Sequence, residues 1–107
     1  MTVKTKPAGL CFKWANQQAI KNDAIVVHGI VTDPLSNPPH SYPHAWIEVN
    51  GVVKDWQTME AGCGGIYRGK GYPIDVFYEL FQPQDVVKYE AHEAVTKLLA
   101  TAHHGSW

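Results

Sequence analysis

The spacing of apolar and polar positions divides this chain into short segments of changing period. Residues 10–21 follow Pro7, Ala8 and Gly9 and form a helix-compatible run that closes on Lys21, Asn22 and Asp23. Proline and glycine before such a run, with a basic residue at its close, are helix start and stop signals. The run predicts a helix starting near Leu10, with Cys11 in its first turn and Leu10, Trp14, Ala15 and Gln18 on or beside the Cys11 face. Residues 24–32 are apolar and β-branched without alternation, as in a strand central to a sheet. Residues 33–43 hold four of the seven prolines. Proline cannot donate to a sheet ladder, so this segment is expected to be a loop forming one wall beside His44.

The next stretch, residues 44–56, reads as a β-hairpin. An Asn-Gly pair between two β-rich arms favours a type I′ turn, which needs positive φ at both central residues. With Asn50 and Gly51 as the turn, Val49 faces Val52, His44 pairs with Gln57, and Trp46 pairs with Asp55. Alternation then puts His44, Trp46, Val53, Asp55 and Gln57 on one face. Asp55 becomes the diagonal neighbour of His44, with Cα atoms about 7–8 Å apart, so the carboxylate can reach the imidazole and fix its tautomer. Trp56 shares the other face with Ala45, Ile47 and Val49 and is expected in the core, while Trp46 is expected either over the His44–Asp55 contact or as a core anchor.

Beyond the hairpin, residues 60–71 are glycine-rich and predict a mobile loop. Residues 74–81 carry apolar side chains at helical spacing, Pro83 ends that helix, and residues 85–89 read as a strand. Residues 90–102 predict an amphipathic helix with Ala91, Val95, Leu98, Leu99 and Ala102 on its apolar stripe. The pattern as a whole implies an α+β fold in one domain spanning residues 1–107, with a Cys-bearing N-terminal helix on an antiparallel sheet and a C-terminal amphipathic helix.

Composition supports a folded domain: hydrophobic residues make up 45% and charged residues 18%, which argues against disorder. The net charge of −1 provides no basic footprint for nucleic acid. No apolar run reaches the length of a membrane span, and Met1-Thr2-Val3-Lys4-Thr5-Lys6 lacks an apolar signal region. A cytoplasmic protein with reduced thiols is therefore expected, with no disulfide between Cys11 and Cys63.

In the first turn of a helix, dipole and backbone N–H groups favour a thiolate at Cys11. Alone, such a cysteine is a small buried hydrophobe. Combined with an imidazole oriented by an acid, it acquires the parts of a nucleophilic centre. The order of Cys11 on a helix, an apolar strand over residues 24–31, the string His44-Ala45-Trp46-Ile47-Glu48-Val49, and Asp55 with Trp56 resembles the transglutaminase-like group of the papain-like cysteine hydrolase and acyltransferase superfamily. The match spans residues 8 to 58, with Phe12 as the aromatic that often follows the cysteine, and Asp55-Trp56-Gln57-Thr58 standing where an Asp-Pro-Thr-like string is common.

The resemblance implies a minimal papain-like core with Cys11 as nucleophile, His44 as general base and acid, and Asp55 as orienting group. Acyl transfer to or from a peptide or small amide would then pass through a thioester, with the Cys11 N–H as one oxyanion donor. Trp46, Gln18 and Gln57 are the candidate substrate-binding residues. No cofactor or metal is implied. His40 and His44 flank Pro43 in an expected loop, His92-Glu93 has Thr96 where a second histidine would be needed, and His103-His104 are expected to be solvated at a frayed end. His28 is expected to be a buried, hydrogen-bonded imidazole and Cys63 a small loop residue. Two other classes fit the same residues: a non-catalytic papain-like binding module, and a relative of bacterial cell-wall peptidases, whose third polar residue is often histidine.

Overall fold

A computed structural model describes residues 8–105 and 107. In chain order these form α1 (Ala8–Asn22), β1 (Ile25–Asp33), β2 (His40–Val49), β3 (Val52–Lys54), α2 (Trp56–Met59), β4 (Tyr72–Pro73), α3 (Ile74–Phe81), β5 (Gln84–Tyr89) and α4 (Ala91–Thr101), with a 3-10 turn at Gly65–Tyr67. The five strands make one sheet in the order β4-β3-β2-β1-β5, antiparallel at every junction. The chain is thus α+β, with helices packed on an antiparallel sheet. No helix among the described residues is long and apolar enough to cross a membrane.

Period-two alternation sends each strand's side chains to two apolar layers. On one face, Val26, Ala45 and Ile47 pack with Cys11, Phe12, Ala15 and Ala19 of α1 and Ala94 of α4. On the other, Val27, Val31, Trp46 and Val53 pack with Tyr72 and with Phe77 of α3. Phe77 is fully enclosed, its ring centroid 4.8 Å from both Trp46 and Phe81. Both layers draw on β1 and β2, which explains why β1 carries no alternation.

The hairpin turns where expected. Asn50 and Gly51 have φ of 52° and 77°, and Val49↔Val52 and Ile47↔Lys54 keep the expected register. The ladder then stops. Asp55, extended at φ −134° and ψ 168°, caps α2 by accepting from the Thr58 N–H, so neither the His44–Gln57 nor the Trp46–Asp55 pair forms. Trp56 accordingly sits on α2 rather than on the core face of a strand.

Four other expectations change. First, α1 starts at Ala8, which makes Cys11 its fourth residue. Second, β2 starts at His40, inside the expected loop, with Pro43 opposite Ile30. Since β3 pairs only with residues 47–49, Pro43 lies on a locally free edge, where a missing N–H is tolerated. Third, the glycine-rich segment is tied to α2: Cys63 N–H donates to the Gln57 carbonyl at 2.7 Å and Gly69 N–H to that of Thr58 at 2.9 Å. Fourth, the stripe of α4 is displaced, for Ala94 is buried whereas Leu99 is 79% exposed.

The C-terminal segment is also docked rather than frayed. The Asn16 side-chain amide donates to the His104 carbonyl at 2.6 Å, and Trp107 packs 5.0 Å from His28 and 5.2 Å from Tyr89. Nothing in the local pattern of residues 103–107 signals this docking except the apolar Trp107.

Candidate active site

Termination of β3 creates the site. Because the ladder ends at Lys54, residues 40–46 of β2 have β1 on one side and no strand on the other. The chain turns there into α2, and its capping residue meets the open side of β2. His44 Nε2 and Asp55 Oδ2 are 2.8 Å apart, and Asp55 Oδ1 accepts the Thr58 N–H at 2.9 Å. Both Asp55 oxygens are thereby fixed, one by a helix terminus and one by the imidazole. Sequence spacing anticipated the contact, but a helix cap delivers it instead of a diagonal pair.

Cys11 completes the group from α1. His44 Nδ1 has no aligned hydrogen-bond partner, and the Cys11 thiol acts on the ring through hydrogen bonding and charge. With Nε2 committed to Asp55, Nδ1 is the ring atom left for proton exchange with the thiol. Burial works against a charged His44, yet Asp55 and Cys11 together hold its pKa above the ordinary value. Burial likewise works against an ionised Asp55, but His44 and Thr58 outweigh it and hold that carboxyl below the ordinary value. The pair therefore favours imidazolium beside carboxylate. All three side chains are enclosed, with Cys11 2%, His44 1% and Asp55 2% exposed. Neither cysteine is in a disulfide.

The expected binding residues are distributed differently. Trp46 shares the His44 face, with ring centroids 5.9 Å apart, but it is completely buried and donates its indole N–H to Glu48 at 3.2 Å. It is enclosed in the core layer beside His44. Gln18 lines a separate groove with Trp14, Ile47 and Met59, away from the thiol and the imidazole. Gln57 lies on α2, where its side chain hydrogen-bonds Tyr42.

Tyr42 is the residue that sequence reading missed. It shares the face of His44, two positions along β2, with ring centroids 5.7 Å apart. Burial pushes its hydroxyl up to about 12, and Asp33, Asp55 and Cys11 add to the effect against the opposing Gln57. The hydroxyl thus remains a donor at ordinary pH. Period two from His44 would have found it had residues 40–43 been read as strand.

Glu48 is engaged elsewhere, accepting from Tyr78 at 2.6 Å and Lys88 at 3.0 Å besides Trp46. Among the described residues, no group of three or more His, Cys, Asp and Glu side chains is arranged to hold a metal ion. Compared with protein-family models, curated proteins and solved structures, the chain matches none.

Proposed function

We propose that this chain is a cysteine-dependent hydrolase or acyltransferase of papain-like, transglutaminase-like type, acting on peptide or small amide bonds. The observation that supports this reading is the meeting of Cys11, His44 and Asp55, which come from a helix, a strand and a helix cap. His44 holds on Nδ1 the proton given up by Cys11, as the imidazolium paired with a thiolate, while Nε2 keeps its contact with Asp55. The sulfur attacks the carbonyl carbon, a C–S bond forms, and the electron pair of the C=O bond moves to oxygen. Collapse expels the amine, which leaves with the proton held by His44, and a thioester remains on Cys11. Water or a second amine then takes the acyl group. We assign a donor to the developing oxyanion to the Tyr42 hydroxyl, which shares the His44 face of β2, beside the Cys11 N–H in the first turn of α1.

The test is alkylation followed by mass. In a Cys63→Ser background, Cys11 should react with iodoacetamide at pH 6, where an ordinary thiol of pKa about 8.5 is almost wholly protonated. An activated acyl ester should leave one acyl group on Cys11, and His44→Gln should abolish both modifications. Labelling that sets in only at pH 8–9, or that needs denaturant, refutes the proposal.

Enclosure of the thiol in an apolar layer favours a second reading, a binding module in which the three residues are structural. It requires that no acyl adduct form.

A further inference from the structure

The cavity on the α1 side of the sheet contains an imidazole with nothing to bond. His28 is 5% exposed and neither ring nitrogen has a hydrogen-bond partner, against the expectation of a satisfied histidine. Its neighbours are rings: Phe12 at 4.7 Å, Trp107 at 5.0 Å and Tyr89 at 5.2 Å between centroids. Burial pushes its pKa down to about 4, so near neutral pH it is uncharged, with one N–H and one bare acceptor nitrogen. Buried polar groups are rarely left in this condition.

The space beside it measures about 150 Å³ and is lined by Phe12, His28, Pro43, Tyr89, Trp107 and Asp85, among others. A cavity of that size can hold a benzene-sized molecule. Asp85 is presented by a bulge: Val87 pairs with His28 and Gln84 with Ile30, so two β5 residues oppose Gly29. Asp85 adopts the left-handed φ of 53° at this point. Bulges of this kind re-aim a side chain and occur beside binding sites.

What the walls offer decides the ligand. They present a carboxylate, a bare imidazole nitrogen and aromatic rings, and among the described residues no lysine or arginine lines the cavity. Such a set repels anions and suits a cation that carries N–H donors. We propose that this cavity binds a small primary alkylammonium group, held by Asp85, the His28 ring nitrogen and the surrounding aromatic side chains. Phe12 follows Cys11 and Pro43 precedes His44, so an occupant touches the residues flanking both.

Ethylammonium chloride is the probe, read by NMR on the ring signals of Trp107 and Tyr89 in the full chain. Saturable shifts are expected, with ethanol, the neutral analogue of similar size, binding at least tenfold more weakly. Asp85→Asn, an exposed change to a residue that accepts positive φ, should weaken ethylammonium about tenfold. Shifts that fail to saturate, that sodium chloride reproduces, that ethanol matches, or that survive Asp85→Asn unchanged would overturn the proposal. The readout is binding, so it holds whether or not Cys11 reacts.

Discussion

Asp55 has two separable roles, and two substitutions distinguish them. One oxygen caps α2 through Thr58 and the other meets His44 at 2.8 Å. Asn is as good a helix cap as Asp, so Asp55→Asn preserves the cap and removes only the charge. His44 can then shed its proton, and the loss is that of one charge-assisted hydrogen bond, about 1.5–3 kcal/mol. Asp55→Ala also removes the cap, adding about 1 kcal/mol. Domains of this kind are stable by about 5–15 kcal/mol, so both variants should stay folded and measurable. With a urea slope of about 1–3 kcal/mol per molar, the midpoint should fall by about 1 M for Asn and further for Ala.

The pH dependence sharpens the test. Asp55 is depressed in the folded state, so its contribution is present above the ordinary value of 3.8 and lost as pH falls through the folded pKa. His44 is raised, so its contribution is complete below 6.5 and lost as pH rises through the folded pKa. The gap between wild type and Asp55→Asn should therefore be widest between about pH 4 and 6.5 and close on either side. Equal midpoints for wild type and Asp55→Asn at pH 5.5, or for Asn and Ala, would refute this division of roles.

Other outcomes follow from single contacts. Gly71 and Gly51 both have positive φ, but a Cβ at Gly71 would sit 2.6 Å from the Val53 carbonyl while one at Gly51 meets nothing within 4 Å. Gly51→Ala should cost about 1 kcal/mol and Gly71→Ala distinctly more in the same urea assay. Phe77→Ala empties the α3 side of the core and should cost about 3–5 kcal/mol, unless the neighbouring rings close the void. Tyr78 is held above the ordinary phenol range by burial first and by Glu48 second, so Glu48→Gln should lower its ultraviolet titration midpoint without restoring the ordinary value. Under the acyl-transfer proposal, Tyr42→Phe should reduce kcat/KM about 100-fold with little change in thermal midpoint, and an unchanged rate would remove Tyr42 from oxyanion stabilisation.

Legibility in the sequence followed the length of the signal. The Asn50-Gly51 turn, α3 between Ile74 and Phe81, and the existence of α1 and α4 each rest on a repeated period or on glycine-specific backbone angles. The meeting of His44 with Asp55 was foreseen from hairpin arithmetic, although that arithmetic fails one residue past Lys54. A four-residue helix has barely one turn in which to show a period, and its only local sign is Asp55 followed three places on by Thr58. Pro43 concealed the start of β2 because a proline penalty applies to paired strands and not to a free edge, and Tyr42 was lost with it. Face assignment along one strand or helix does not say which layer closes over it: Trp46 lies on the His44 face as expected and is covered by Phe77, while Gln18 lines a separate groove. The docking of Trp107 on His28 depends on contacts nearly eighty residues apart, beyond any local rule.

The bulge that presents Asp85 also affects solubility. β5 is a border of the sheet, and a straight border strand invites pairing with a neighbouring molecule. The dislocation opposite Gly29, the proline just before the strand, and the charge of Lys88 within it each spoil that template. Straightening the strand by deleting one residue at the bulge would expose a continuous ladder and turn this flank of the sheet into a seed for fibrillar stacking.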